Sequence, residues 1–231
     1  MTNYDSEIID FYLNKYNLKD ILTDEIHREL KLFRYSPGEL IIRSDDTIVN
    51  LLFFVEGKAK VYFLLANGKS LLCRFYKPIE VIGEAELFNS TQYYSNIQAI
   101  TEVICIGFKV ELITKSLQSN HKLLKYFCQS LGSKLTTFNL SSATNLMYPL
   151  ENRLASYFIA ISNTDYYNES SFERIHTESM TELADLLGSS YRNLTRTIKK
   201  FENNGILRKN GKAIEILQMD KLEELAKEID I

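Results

Sequence analysis

The chain has 231 residues, of which 45% are hydrophobic and 25% charged, and its formal net charge at pH 7 is −3. This length can hold one large domain or two modest ones, and this composition is typical of an ordinary globular protein. No apolar run approaches the roughly 20 residues that a membrane-spanning helix needs. The acidic, polar start MTNYDSEIID is not typical of a signal peptide. These features predict a cytoplasmic protein without a membrane partner.

The cysteine and histidine residues form no pattern typical of a metal site or a disulfide framework. Three cysteines and three histidines are scattered along the chain, without the paired spacing of zinc sites or iron–sulfur clusters. The odd number and apolar surroundings of the cysteines predict free thiols. No nucleophile–base pair or phosphate-binding loop is recognisable. We therefore expect no metal, no cofactor and no catalytic residue, and no enzyme activity.

Short helices are expected in residues 4–30, and a succession of short strands after them. From residue 32 the chain contains short runs rich in Val, Ile, Leu, Phe and Tyr, separated by turn residues, which predict β-strands. The runs are Leu40–Ile42, Leu51–Val55, Lys58–Leu64, Ser70–Phe75, Glu80–Ile82, Ser95–Ala99 and Val103–Phe108. Asn67-Gly68 predicts a hairpin with a two-residue type I′ turn. Strands of this length and spacing predict a small antiparallel sandwich or roll.

A long helix is expected at residues 119–148. Six residues spaced 4-3-4-3-4, all but the last apolar, form a heptad-like seam: Leu124, Cys128, Leu131, Leu135, Phe138 and Ser142. A single helix with this seam could pack on its own roll. We favour a dimer helix, because the seam is long and the chain offers no second helix of matching length. Pro149 ends the helix, so we expect domains at residues 1–118, 119–148 and 149–231.

The last third of the chain contains a short cationic segment within an acidic domain. Between Ser190 and Lys212 there are seven basic residues and one acid, Glu202. The flanking residues 148–189 and 213–231 are both net acidic. A short cationic segment in such surroundings indicates a localised contact surface for an anionic partner.

The segment SMTELADLLGSSYRNLTRTIKKFENNGIL predicts two helices in close succession. Ser179 and Glu182 form a capping box that starts the first helix. Gly188 ends that helix with a tight turn, and Ser190 is a candidate cap for the second. Two short helices across a glycine turn are the helix-turn-helix pattern. The following ILRKNGKAIEI contains two β runs around Asn210-Gly211, which predict a basic hairpin, or wing.

The second of these helices has an apolar face and a basic face. Tyr191 falls at helical spacing with Leu194, Ile198 and Phe201, so periodicity alone places Tyr191 inward. Arg192 and Arg196 lie on another face, where each can donate two hydrogen bonds to guanine in the major groove. The expected contacts to the DNA backbone are Ser190, Asn193, Thr195, Lys199, Lys200, Arg208, Lys209 and Lys212.

The whole chain resembles the Crp/Fnr superfamily of bacterial transcription regulators. Glycine turns at Gly38, Gly57 and Gly68, followed by Gly83-Glu84, are similar to those of its cyclic-nucleotide-binding β-roll. The segment LLGSSYRNLTRTIKKFENNGIL is similar to its recognition segment, and LANGKSLLCRF, IGEAELF, PLENRLA and GSSYRNL look like segments of the YeiL-type branch. The resemblance implies an α+β fold with an N-terminal antiparallel β-roll, a long dimerisation helix and a C-terminal winged helix-turn-helix.

The resemblance also implies two sets of site residues. The base-reading positions fall on Tyr191, Arg192 and Arg196, which puts Tyr191 at the exposed N-terminal end of its helix, against the periodicity. The effector pocket falls on Gly83, Glu84, Tyr94, Ser95, Phe138 and Asn139. Tyr94 stands where the family has the arginine that pairs with a cyclic phosphate, and no Lys or Arg occurs from Gly83 through Thr101. A buried phosphate without a cation is costly, so we expect no cAMP binding.

The sequence therefore predicts a homodimeric transcription regulator that binds an inverted repeat in double-stranded DNA. An unidentified small-molecule effector and RNA polymerase are further candidate partners. The alternative is a module built on the β-roll that binds a small molecule or another protein and not DNA. The basic wing and the cationic segment disfavour this alternative.

Overall fold

The computed structural model describes residues 3–89, 91–117, 120–162, 173–176, 179–211 and 213–227. The chain forms two compact units. The first comprises Met1–Phe63 and Arg74–Phe138, and the second comprises Leu64–Cys73 and Asn139–Ile231. No helix in the described part of the chain is long and apolar enough to cross a membrane.

The described residues of the N-terminal part of the chain contain five helices and eight strands. The helices are α1 (Asn3–Lys15), α2 (Asp24–Glu29), α3 (Glu84–Asn89), α4 (Glu111–Ser116) and α5 (His121–Met147). The strands are β1 (Lys31–Tyr35), β2 (Leu40–Ile42), β3 (Asn50–Glu56), β4 (Ala59–Leu64), β5 (Ser70–Tyr76), β6 (Glu80–Ile82), β7 (Asn96–Ala99) and β8 (Val103–Lys109). The seven predicted strands are confirmed, each within one residue at its ends. The structure adds β1, which pairs with β8.

The strands form two four-stranded sheets, in the orders β1-β8-β3-β6 and β2-β7-β4-β5. The pairs of β3 with β8 and of β4 with β7 are antiparallel. All five residues from Leu51 to Val55 in β3 are buried. Because successive side chains of a strand point to opposite sides, both faces of β3 are buried. Leu51, Phe53 and Val55 belong to a core that also contains residues of α1, α2 and α5. Phe54 is buried as well, and its ring meets Tyr76 with 6.0 Å between the centroids. The antiparallel β-roll expected from the sequence is therefore confirmed.

The hairpin between β4 and β5 differs from the predicted turn. The Gly68 N–H donates to the Leu65 carbonyl, and the Leu65 N–H donates to the Lys69 carbonyl. Gly68 has φ +80°, whereas Asn67 does not have a positive φ. A type I′ turn needs a positive φ at both central residues, so that prediction is wrong. The turn is the three-residue form, in which a left-handed glycine follows an ordinary β-turn.

After α5, the described part of the chain contains four helices and a small sheet. The helices are α6 (Leu150–Ile161), α7 (Met180–Leu186), α8 (Tyr191–Asn203) and α9 (Met219–Lys227). The strands are β9 (Glu173–His176), β10 (Leu207–Asn210) and β11 (Ala213–Ile216), in the order β10-β11-β9. The core of the second unit includes Leu154, Phe158, Leu194, Ile198, Phe201 and Leu222. The polar composition of NTDYYNESSFERIHTE, the segment that contains β9, predicts a loop. That expectation is wrong for residues 173–176, which pair with β11.

Candidate DNA-binding surface and effector pocket

The helix-turn-helix is built from local capping. The Ser179 hydroxyl oxygen accepts the N–H of Glu182 at 3.1 Å at the start of α7. The Ser190 hydroxyl oxygen accepts the N–H of Asn193 at 3.2 Å at the start of α8. Gly188 lies between the two helices with φ +58°, a conformation that a side chain at Cβ disfavours. The predicted caps and the glycine turn are therefore confirmed.

Helix α8 buries one face and exposes the other. Leu194, Ile198 and Phe201 are almost completely buried, while the exposed face consists of Tyr191, Arg192, Arg196, Lys199 and Lys200. Tyr191 is 55% exposed, so the inward position expected from periodicity is wrong. A helical side chain covers the turn that precedes it. Tyr191 is the first residue of α8 and has no such turn to cover.

Asn193 connects the guanidinium of Arg196 to the turn before α8. Arg196 Nη2 donates to Asn193 Oδ1 at 2.9 Å. Asn193 Nδ2 in turn donates to the Ser189 hydroxyl at 3.1 Å. Arg196 is therefore oriented by a neighbour that is itself hydrogen-bonded twice, once through its amide group and once through its backbone. The Thr195 hydroxyl is turned back to the helix and donates to the Tyr191 carbonyl at 2.8 Å.

The other basic residues of the surface differ in what they contact. Lys200 Nζ lies 2.6 and 2.8 Å from the two carboxylate oxygens of Glu151, so a phosphate contact by Lys200 must share or open that ion pair. On the wing, Arg208 lies 3.7 Å from Glu215. Lys209 is exposed. Lys212 lies outside the described residues.

Two rows of side chains, here called stripes, run along helix α5. Leu123 and Phe127 are completely buried against the roll, and Ser130 and Lys134 continue that stripe. The predicted seam lies about 90° around the helix from it, at about 100° per residue. In the seam, Leu135 is 62% exposed, Phe138 45% and Leu124 36%. Cys128 is also exposed, and Leu131 and Ser142 are half-buried. The helix thus packs on its own roll through one stripe and leaves the other open.

The start of α3 contains a buried ion pair that reaches α5. Glu84 is completely buried. Its Oε1 accepts a hydrogen bond from the Ser130 hydroxyl at 2.8 Å and lies 2.6 Å from Lys134 Nζ. Lys134 Nζ also donates to the Val81 carbonyl at 2.6 Å. Burial lowers the pKa of Lys134, but Tyr76 and Glu84 outweigh burial and leave that pKa above its ordinary value, so the lysine is charged.

A second, partly buried ion pair lies beside the first. Arg74 Nη2 lies 2.7 Å from Glu80 Oε2, and the Arg74 guanidinium carbon is 4.4 Å from the centroid of the Tyr76 ring. Lys134 Nζ lies 5.4 Å from the same centroid. Sequence reasoning missed Arg74, Ser130 and Lys134. The spacing of Ser130 and Lys134 from Leu123 and Phe127 was the available signal for two of them.

The remaining residues of the predicted effector pocket are not gathered around Glu84 in the same way. Tyr94 is 54% exposed, Ser95 is half-buried, and Phe138 and Asn139 are exposed. Phe138 is the last residue of the first unit and Asn139 belongs to the second. Burial raises the pKa of nearby Glu86, and its own backbone N–H and the charge of Lys134 partly oppose this. Among the described residues, no cluster of His, Cys, Asp and Glu could hold a metal ion.

Two segments of the chain match known protein families. Residues 32–120 match the cyclic nucleotide-binding domain, and residues 152–225 match the Crp-like helix-turn-helix domain. The chain belongs to the Crp/Fnr superfamily. This member of the superfamily is a transcription regulator with a helix-turn-helix DNA-binding domain, and Crp/Fnr regulators are not a family of enzymes.

Individual Crp/Fnr proteins are similar to this one over most of their length. The regulatory protein YeiL of Escherichia coli O157:H7 is 29% identical over 92% of this chain and 93% of its own. A CRP-like cAMP-activated global transcriptional regulator of Mycobacterium tuberculosis is 19% identical over 87% of this chain and 90% of its own. The crystal structure of a Crp/Fnr-family regulator from Eubacterium rectale has a TM-score of 0.77 at 17% identity, covering 93% of this chain and 99% of that one.

Proposed function

We propose that this Crp/Fnr protein binds an inverted repeat in DNA as a homodimer, and that its β-roll does not bind cAMP. The observation that carries the proposal is α8, whose apolar face is buried in the second unit while its basic face is exposed. The proposed organisation is a sensor domain at residues 1–118, a dimer helix at 119–148 and a DNA-binding domain at 149–231. Such a regulator acts in the bacterial cytoplasm, where RNA polymerase is a candidate partner.

The N-terminal half of α8 supplies the proposed contacts to base edges. Tyr191, Arg192 and Arg196 are exposed there, and an arginine can donate both of its outer N–H groups to one guanine. Arg196 suits that role because its guanidinium is held by Asn193. Lys199, farther along α8, and Arg208 and Lys209 on the wing are proposed phosphate contacts, which position a protein without selecting sequence.

The seam on α5 supports the homodimer. It exposes Leu135 and Phe138, although apolar side chains repeated at heptad spacing are normally covered by a partner helix. A parallel pair of α5 helices related by a twofold axis buries these residues against their counterparts. A twofold dimer presents two α8 helices, which meet half-sites about 34 Å apart on one face of DNA.

The surroundings of Glu84 support the absence of cAMP binding. Lys134 and Ser130 already occupy Oε1 of the acid at the start of α3. The position that the family uses for its phosphate-binding arginine holds Tyr94, which carries no charge to pair with a phosphate. The two buried cations nearby, Arg74 and Lys134, are both engaged with carboxylates. A cyclic phosphate placed here therefore has no uncommitted cation among these groups.

The experiment that tests the proposal is selection of bound sequences from a random pool of DNA duplexes. We expect an inverted repeat whose half-sites are about one helical turn apart. Binding to the selected site should weaken steeply with salt, because phosphate contacts release counterions. Failure of folded protein to enrich any sequence would favour the alternative of a non-DNA module on the β-roll.

Two measurements complete this test. The matched control is the double variant Arg192→Ala/Arg196→Ala, which keeps the fold because both side chains are exposed but should lose the selected preference. Titration calorimetry with cAMP should give no heat of binding even at cAMP concentrations far above the dissociation constant of a specific site. A saturable heat with cAMP would contradict the second half of the proposal.

A further inference from the structure

The corner of the first unit around Glu84 presents the groups that bind a primary ammonium. They are the Glu84 carboxylate at 2.6 Å from Lys134 Nζ, the Val81 carbonyl at 2.6 Å, and the Tyr76 ring with its centroid at 5.4 Å. A carboxylate and a carbonyl accept N–H groups of an ammonium, and the face of an aromatic ring attracts a cation. Glu84 is completely buried and the side chain of Lys134 is 17% exposed, so water screens this pair weakly.

The two cations of the corner are already paired without any ligand. Arg74 is 8% exposed and paired with Glu80, and Lys134 is paired with Glu84, with Tyr76 next to both cations. Each of the two cations is therefore paired with a carboxylate, and the carboxyl group of Glu86, which interacts with both Lys134 and Glu84, adds no positive charge. An incoming anion would have to take a cation from a buried carboxylate, which leaves that carboxylate uncompensated. The groups around Glu84 favour a cation and disfavour a phosphate.

We propose that this corner is an ammonium-binding site which Lys134 of α5 fills from within the chain, so that α5 is held against the roll without a small-molecule effector. The inference rests on the proposed function, because it concerns the same pocket from which cAMP is excluded. It goes further in naming the chemical class that the pocket accepts and the residue that occupies it.

The position of Lys134 on α5 links the ion pair with Glu84 to the orientation of this helix. Lys134 ends the stripe that begins with the buried Leu123 and Phe127, and the open seam lies about 90° around the same helix. Together with Leu123 and Phe127, the Lys134–Glu84 bond therefore fixes the rotation of α5 about its axis, and with it the direction in which Leu135 points. Losing the bond should disturb both the stability of the roll and the binding of DNA by the dimer.

The test is chemical rescue of Lys134→Ala in the full chain. Alanine removes three methylene groups and the ammonium, which together correspond to n-propylammonium. The variant leaves Glu84 with the Ser130 hydroxyl as its remaining partner among the described residues, since Oε2 has none there. We expect the melting temperature to fall by about 10 °C. Affinity for the selected DNA should fall by about tenfold or more, since α5 is no longer held.

Added n-propylammonium chloride should then restore part of both losses. A ligand at about ten times its dissociation constant recovers about 3–6 °C in a chain of this size. Tetramethylammonium chloride at equal ionic strength carries the same charge without N–H donors and should restore neither. Lys125→Ala is the matched control, because Lys125 is an exposed lysine of the same helix and its loss should change little.

The outcomes separate clearly. Equal behaviour of Lys134→Ala and Lys125→Ala, or equal rescue by the two salts, would overturn the ammonium site. The melting temperature is measured without DNA, so a protein that fails to bind DNA still reports on this inference. If Lys134→Ala does not fold, the double variant Lys134→Met/Glu84→Gln decides. Recovery of folding when both charges are removed supports the pair, and continued failure to fold contradicts it.

Discussion

Truncating Leu135 to alanine should weaken the dimer and leave the monomer intact. Full burial of a leucine side chain contributes about 1.5–3 kcal/mol, and 62% of Leu135 is exposed in the single chain. Burying that exposed part against a second α5 is therefore worth roughly 1–2 kcal/mol per subunit. Two copies contribute roughly 2–4 kcal/mol per dimer. Leu135→Ala should raise the dissociation constant of the dimer by about 30-fold to 1000-fold.

Leu140→Ala is the matched control for this substitution. Leu140 is a leucine of the same helix and is 43% exposed, but it lies about 140° around α5 from Leu135, away from the seam. Sedimentation equilibrium over a range of protein concentrations measures both dissociation constants, and circular dichroism confirms that both variants keep the helical content of the parent. Equal dissociation constants for the two variants, or a parent protein that stays monomeric at high concentration, would refute the seam as the dimer surface.

Three further predictions concern base reading, helix capping and thiol reactivity. Arg196→Ala should reduce the binding free energy for the selected site by about 1–3 kcal/mol and relax the preference for one base, whereas Lys199→Ala should lower the affinity for all sequences alike. Competition with single-base variants of the site separates the two effects. A uniform loss of affinity with Arg196→Ala would make Arg196 a phosphate contact. Ser190→Ala removes the cap of α8 and should destabilise the protein by about 0.5–2 kcal/mol in thermal unfolding; an unchanged melting temperature would contradict the cap. Burial raises the pKa of the Cys105 thiol, whereas Cys128 is exposed in the seam. Iodoacetamide at mildly alkaline pH should therefore label Cys128 in dilute protein and spare Cys105. Peptide mass spectrometry should also show slower labelling of Cys128 at protein concentrations where the dimer is populated.

Local patterns in the sequence predicted most of the elements of this fold. The runs on either side of Gly68 and the heptad spacing of α5 each depend on residues near one another in the chain. The Ser179 and Ser190 caps are also local, because a capping hydroxyl accepts an N–H only three residues ahead. Such interactions can be recognised without knowing what packs against them.

The incorrect predictions fall where the ends or partners of an element decide the outcome. Periodicity alone placed Tyr191 on the buried face, although the Ser190 cap makes Tyr191 the first residue of α8, where it has no preceding turn to cover. The Asn67-Gly68 pair fitted two kinds of hairpin, and the one formed has Asn67 outside the left-handed region. Residues 173–176 form a strand because β11 offers them an edge, although their own composition is polar.

The interior of the effector pocket could not be predicted from the segment that contains it. The absence of Lys and Arg from Gly83 through Thr101 predicts only that this segment supplies no cation partner for a phosphate. The structure brings Lys134 to Glu84 from 50 positions away in the sequence. Arg74, which precedes Gly83 in the sequence, pairs with Glu80. Which charged groups meet in a core depends on how α5 packs on the roll, and a contact of that kind leaves only a weak local signal.

The two stripes of α5 make the protein sensitive to rotational phase and tolerant of length. One residue inserted after Lys134 would turn Leu135 and the rest of the downstream seam by about 100° relative to the part that precedes it. Seven inserted residues would return the downstream seam to within about 20° of its original direction, since a heptad is nearly two full turns. Natural or engineered changes in the length of this helix should therefore be accepted in steps of seven and rejected in steps of one or two.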